Sequence, residues 1–296
     1  MTTVKARRSI KNSAPNQTMK KLYDLHTHTT ASDGRLSSEE LVQKAVAENV
    51  SSFAVTDHDT VDGIDSARDA AARLSNDGLE IIAGVEVSAN FEDASVHVLG
   101  LFVRHREPWL VEFFSAASER RIERVHQILE KLEAVDVHIE AADVFAKSSH
   151  GTVGRPHIAE VLVDRGFVSS FKEAFDRYLG HGAPADVGYE KVTLRDATDL
   201  IQRAGGVASL AHPVLLERDE LIPKMVDDGL QAIEAYHSDH PSEIASHYVQ
   251  MSARLGLLVT GGSDFHNPEG PGPTSLGCPE LTQDALEKIR AASTAE

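Results

Sequence analysis

The sequence predicts an α/β barrel interrupted by an inserted helical domain, and three observations lead there. Short apolar runs alternate with amphipathic helical patterns over residues 21–103 and again over 188–296. The stretch between them, 104–187, shows helical spacing only. His, Asp and Glu recur at the ends of the apolar runs. Strand, helix, strand in succession implies parallel strands joined by crossover helices. A purely helical stretch inside such a series is best explained as an insertion.

The first apolar run ends in Tyr23-Asp24-Leu25-His26-Thr27-His28, and Ser32-Asp33-Gly34 follows as a turn. On extended chain His26 and His28 point the same way, and the turn can fold the Asp33 carboxylate back toward them. Ser37-x-x-Glu40 reads as a capping box opening a helix whose apolar stripe is Leu41, Val42, Ala45 and Val46. A second strand, 53–56, runs into Asp57-His58-Asp59, and a helix over 64–74 follows it. The next strand, 80–87, holds Glu86 in an otherwise apolar run, where a carboxylate is costly to bury unless something pairs with it. A fourth, 96–103, carries His97 near its start.

From about residue 104 the period becomes helical: 109–132, 141–147, 157–165 and 170–179, divided by Gly and Ser. Two groups here suit an anion: the charged run containing Arg120 and Arg124, and Arg155-Pro156-His157 in a Gly- and Pro-flanked loop. A charged run usually faces water, so Arg155 is the better candidate. The α/β pattern resumes with a helix over 193–204 and a strand, 207–211, ending at His212-Pro213. A strand over 231–235 contains Glu234, with His237 just past its end, and a helix spans 242–255. The last strand, 257–260, leads into Asp264-Phe265-His266.

Composition limits the function classes. A formal net charge of −17 argues against coating duplex nucleic acid or an anionic membrane, both of which need a basic face. A phosphorylated substrate is still compatible, because bound cations supply positive charge locally. Cys278 is the single cysteine, which leaves no disulfide framework or thiolate zinc site and fits a reducing cytoplasm. Residues 1–23 carry six Lys or Arg and no Asp or Glu, so 1–20 reads as a disordered basic tail.

Position is the informative feature. His26, His28, Asp57, His58, Glu86, His212, Asp264 and His266 each fall at or just past the carboxyl end of an expected strand, and in a parallel barrel those ends share one face. Adding Asp33 and His97 gives ten candidate ligands. One ion uses about four, so two or three divalent ions are expected. Imidazole and carboxylate without thiolate favour manganese, with iron, zinc or magnesium as alternatives. Such clusters clamp a phosphoryl oxygen and generate hydroxide near neutral pH. No Gly-x-Ser-x-Gly elbow or exposed thiolate setting suggests a covalent nucleophile.

His26-Thr-His28, Thr56-Asp57-His58-Asp59, Gly84-Val85-Glu86, Val96-His97-Val98, Ala211-His212-Pro213 and Ser263-Asp264-Phe265-His266 together resemble the motifs of the PHP (polymerase and histidinol phosphatase) metallophosphoesterases, in order and in approximate spacing. The resemblance spans about residues 22–268. It is strongest to the branch that hydrolyses the 3′-phosphate of nucleoside 3′,5′-bisphosphates and includes 5′→3′ exonucleases of short RNA. It implies a distorted, TIM-like (β/α)7 barrel holding three metal ions. Carried over, one ion takes His26, His28 and Asp264, with Glu86 bridging to a second on His97. A third takes Asp33, His58 and His212, and His266 completes the cluster. The substrate is expected to meet Arg155, His157, Arg120, Arg124 and His237, with Asp264, His212 and His266 at the chemistry and one of the two histidines as proton donor. The family pattern is not followed at His212-Pro213-Val214-Leu215-Leu216-Glu217-Arg218, where an Arg usually follows the His-Pro closely, nor at 182–189, where a Gly-Lys-x-Gly-Tyr segment is usual. A histidinol-phosphate-type phosphatase is the nearest enzymatic rival, and the helical insertion argues against it. A non-catalytic metal- or nucleotide-sensing module is the other; the complete ligand set argues against that.

Overall fold

The computed structural model describes residues 21–74, 78–147, 153–188, 192–269, 272–278 and 280–294; the expected basic tail lies outside them. Strand β1 (Leu22–Asp24) leads through the His26–Asp33 turn to helix α1 (Ser38–Ala47), which opens on the expected capping box. Ser37 N–H donates to Glu40 Oε2 at 2.8 Å and Glu40 N–H donates to Ser37 Oγ at 3.3 Å. Strands β2 (Val50–Val55) and β3 (Glu80–Phe91) flank α2 (Gly63–Leu74), and β4 (Ala94–Leu101) follows. Helices α3 (Pro108–Glu133), α4 (Ala141–Lys147), α5 (Arg155–Asp164) and α6 (Phe171–Ala174), the last running into a π-turn over Phe175–Leu179, form the helical stretch. The remainder is β5 (Val192–Thr193), α7 (Leu194–Arg203), β6 (Val207–Leu210), α8 (Ile222–Asp227), β7 (Ala232–Tyr236), α9 (Ser242–Leu255), β8 (Leu258–Gly261) and α10 (Gln283–Ala292). Among the described residues no helix is long and apolar enough to cross a membrane.

The architecture is a mixed α/β fold on one eight-stranded sheet, ordered β1-β2-β3-β4-β6-β7-β8 with β5 paired to β3. Two expectations are corrected. The sheet is not a closed barrel, because β1 and β8 are three and four residues long and turn at once into the loops that carry His26, His28 and Asp264 instead of forming a ladder. Their chains meet at the strand ends by individual hydrogen bonds, Leu25 N–H to the Gly261 carbonyl at 3.1 Å and Asp264 N–H to the His26 carbonyl at 2.9 Å. Nor is the sheet all parallel, since β4 runs antiparallel to both β3 and β6. β3 and β4 form a long hairpin with no helix between them, so only a reversal connects them.

That reversal brings His97 to the site. His97 lies midway along antiparallel β4, opposite Ser88, on the face that Glu86 shares two residues earlier. The middle of β4, His97 to Leu99, thereby lies beside Glu86–Ser88 of β3.

One hydrophobic cluster is drawn wholly from residues 125–185 and includes Val125, Ile128, Leu132, Ile158, Leu162 and Leu179. The first turns of α3, with Leu110 and Phe114, pack instead into the sheet's core. This one helix therefore ties the two cores together. Cys278 is buried beside Asp24, and burial pushes its thiol up to about 12. It is expected to resist a disulfide reagent at pH 8 in the native protein and to react with one equivalent only after denaturation.

Candidate metal centre

The cluster is assembled around Glu86, which is 1% exposed. Its Oε2 lies 3.3 Å from His26 Nε2, 3.3 Å from His28 Nε2 and 3.0 Å from His58 Nδ1. Its Oε1 lies 2.9 Å from His97 Nδ1 and 3.1 Å from His212 Nε2. Asp264 Oδ1 sits 3.2 Å from His26 Nε2 and 3.1 Å from His28 Nε2. His266 Nε2 lies 3.3 Å from Asp33 Oδ1, and its Nδ1–H donates to the Asp264 carbonyl at 2.9 Å, which leaves Nε2 as a lone pair.

Burial would raise the Glu86 carboxyl, yet His58, His26 and His97 hold it well below the usual carboxylate range. Burial would likewise lower His28, but the Asp264 and Glu86 carboxylates beside its Nε2 push it up to about 10. At His58 burial prevails over Glu86 and Asp33, and the ring is pushed down to about 3. A neutral imidazole is the form that ligates a metal.

The residues fit divalent cations. Nε2 of His26 and His28, Nδ1 of His97, Oδ1 of Asp33 and Oε2 of Glu86 are buried without a hydrogen bond, which is costly for polar atoms unless an ion completes them. Two ligand atoms on one ion, each about 2.0–2.2 Å from it, stand about 3–3.5 Å apart. The separations above match. Three groups can each hold an ion at the open face: His26, His28 and Asp264; His58, Glu86 and His97; and His28, Asp33, His58 and His266.

Local structure explains the placement. His212 (φ 29°) and Asp264 (φ 56°) both adopt left-handed backbone immediately after their strands, a strained conformation that clusters at functional sites. Asp57 accepts from Thr29 N–H and Ser32 Oγ at 2.7 Å each and from Thr29 Oγ at 2.8 Å. It therefore clamps the turn that returns Asp33, and the expectation of a ligand at Asp57 is corrected, because both of its oxygens are taken.

Three further corrections follow from packing. His212 lies with Glu86 and His97 and not with Asp33, because β6 is the neighbour of β4. His237 is buried at 1% side-chain exposure, with Nε2 3.5 Å from Asp264 Oδ2, so it stands behind the cluster and away from the pocket lined by Arg121 and Arg155. Arg120 is exposed on α3, and the adjacent Arg121 turns inward, pairing with Asp59 and donating to Ser88 Oγ at 3.3 Å. Arg121 and Arg124 are three apart and share a helix face; that spacing was the available signal.

A pocket of about 190 Å³ joins the cluster to the helical stretch. Asp33, His58 and His97 line one side, and Arg121, Arg124, Arg155 and His157 the other. Arg124 donates to the Val187 carbonyl at 3.0 and 2.8 Å, and Arg155 to the Leu179 carbonyl at 3.0 Å. His157 Nδ1 accepts from Gly154 N–H at 3.1 Å, which puts the ring proton on Nε2. The usual family arginine after His-Pro has no equivalent here, since Arg218 pairs outward with Asp93 and Glu220. A larger cavity, about 450 Å³, opens at the opposite end of the sheet. None of the clustered side chains Asp33, His58, Glu86 or His97 lines it, so the chemistry belongs to the smaller pocket.

A PHP domain model matches residues 24–191. The chain is 35% identical over 254 residues to a 5′-3′ exoribonuclease, Rnm, from Escherichia coli K12, covering 83% of this chain and 86% of that one. It is 34% identical over 261 residues to a 3′,5′-nucleoside bisphosphate phosphatase from Chromobacterium violaceum, covering 86% and 90%. A crystal structure from Bifidobacterium adolescentis, provisionally assigned as a metal-dependent phosphoesterase, superposes with a TM-score of 0.79 at 29% identity, covering 93% of this chain and 97% of that one.

Proposed function

Because this chain belongs to the PHP domain family of metal-dependent phosphoesterases, we propose that it hydrolyses a phosphate ester of a small nucleotide bearing a second phosphate. The substrate class is a nucleoside 3′,5′-bisphosphate or the 5′ end of a short oligoribonucleotide. The observation that carries this is the shared pocket, which sets three guanidinium groups across from the metal-binding side chains in a chain of net charge −17.

The ions, two or three with manganese favoured, would be held by His26, His28, Asp33, His58, Glu86, His97, His212, Asp264 and His266. When bound, they supply Lewis-acid neutralisation of phosphoryl charge and lower the pKa of water. The chain's own contribution is positioning. Arg121 is held at the pocket wall by Asp59 and Ser88, and Arg155 stands beside His157 at the opening of α5. Planar guanidinium suits bidentate contact with the phosphate that is not cleaved. The helical segment, 104–187, thus forms the recognition wall, and the sheet forms the chemical one. A reducing cytoplasm suits the single buried thiol.

The test compares p-nitrophenyl phosphate with a panel of 3′,5′-bisphosphates and 5′-monophosphates. A charge-assisted hydrogen bond is worth about 1.5–3 kcal/mol, or about 10–150-fold in rate. Arg121→Ala and Arg155→Ala should each lower kcat/KM on bisphosphates by that factor and change aryl phosphate turnover little. Equal losses on both substrates would refute recognition by this wall.

A further inference from the structure

Strand β7 and the loop after it place two buried side chains directly behind the metal cluster. Glu234 is fully buried, and both its oxygens lie against His26 Nδ1, at 3.1 and 3.2 Å. Its Oε2 also accepts from His212 backbone N–H at 2.8 Å. His237 Nδ1 accepts from Asp239 N–H at 3.1 Å, so its ring proton is on Nε2, 3.5 Å from Asp264 Oδ2.

His26, Glu234 and His237 are close enough to form an ion site of their own. Chemistry argues otherwise. His26 Nε2 already faces Asp264 and Glu86 at 3.2 and 3.3 Å. A further ion at Nδ1 would require a doubly metallated imidazolate and would take from Glu234 the N–H it accepts.

We infer instead that Glu234 and His237 are positioning residues for one particular ion, the one held by His26, His28 and Asp264. This inference rests on the metal-centre reading above. Glu234 fixes His26 as the Nδ1–H tautomer and aims the Nε2 lone pair at the ion, as carboxylate partners of metal-bound histidines do. Its hold on the His212 N–H also pins the left-handed turn after β6. His237 Nε2 lies 3.5 Å from Asp264 Oδ2 without a hydrogen bond and packs against that side of the carboxylate, so that Oδ1 faces the Nε2 atoms of His26 and His28. Both residues act through ligands and neither meets substrate.

The experiment measures metal affinity and not turnover. Chelator-stripped wild type, Glu234→Gln, Glu234→Ala and His237→Ala are titrated with Mn²⁺, with free ion followed by electron paramagnetic resonance and bound ion by elemental analysis. One equivalent should weaken by about 10–100-fold in Glu234→Ala and His237→Ala, and by less in Glu234→Gln, whose amide oxygen still accepts from His26. In His237→Ala the remaining equivalents should change less than about threefold, because the ligand that its ring positions is Asp264. In Glu234→Ala a smaller loss at the ion nearest His212 should accompany the main one, because Glu234 also holds the His212 N–H. Circular dichroism of the metal-free proteins checks folding; if Glu234→Ala unfolds, Glu234→Gln and His237→Ala decide. Folded variants that bind every equivalent as wild type does, or lose all equivalents uniformly, overturn the inference. A wild type that binds no Mn²⁺ would refute the metal-centre reading itself, which is a different result.

Discussion

Glu86→Gln should leave a folded protein that has lost at least one equivalent of metal and nearly all turnover. No other side chain meets so many members of the cluster: the two oxygens of Glu86 reach His26, His28, His58, His97 and His212 within 3.3 Å. The amide keeps the volume, so packing of the surrounding strands changes little. It removes the negative charge, however, and turns an N–H₂ toward imidazole nitrogens that need to present lone pairs to a metal. Loss of an outer partner already costs about 10–100-fold in affinity or activity, and a shared ligand should exceed that. Elemental analysis and kcat on an aryl phosphate give the answer. Full metal content with undiminished activity would remove Glu86 from the centre.

Gly262→Ala should damage the site without touching any ligand. A Cβ at Gly262 would stand 2.3 Å from His26 Cβ and 2.5 Å from the His26 backbone nitrogen. Backbone on both sides leaves no flexible atom to yield, since Gly262 N–H is held by the Tyr236 carbonyl at 3.0 Å. Overpacking of this kind costs about 1–3 kcal/mol, a fall in Tm of about 2–12 °C at this chain length. The relief available is displacement of the His26 strand, so metal affinity should fall with stability. Gly188→Ala is the control, because nothing lies within 4 Å of the atom added there. A Gly262→Ala protein that melts within a degree of wild type and retains its metal would show that the β1 and β8 chains can part without moving His26.

The motifs that supply the candidate centre were legible because their signals are local. His26 and His28 alternate on extended chain, Glu86 is an unpaired carboxylate in an apolar strand, and Asp264 and His266 follow the last strand directly. The Ser37–Glu40 capping box was equally legible, since both of its hydrogen bonds close within three residues. Glu234 carried the same signal as Glu86, a carboxylate inside an apolar strand. Its role was not legible, because only strand order shows that it backs His26 instead of facing the ions.

The remaining features depended on contacts between distant segments. Asp57 and Asp33 are both polar residues near a strand end, and the pairing of β1 with β2 is what gives Thr29 and Ser32 to Asp57 and frees Asp33. Arg120 and Arg121 are neighbours in sequence, and the rotation of α3 against the sheet sends one to solvent and the other to Asp59. The direction of β4 follows from a hairpin whose tertiary pairing sequence periodicity does not encode, and that direction puts His97 opposite Ser88. Sequence alone marked most of the side chains that gather in the candidate centre, because strand-end position and alternation are properties of the nearest few residues. Tertiary structure decided which of them lie close enough to share an ion and which stand behind the others, because those relations are distances between strands.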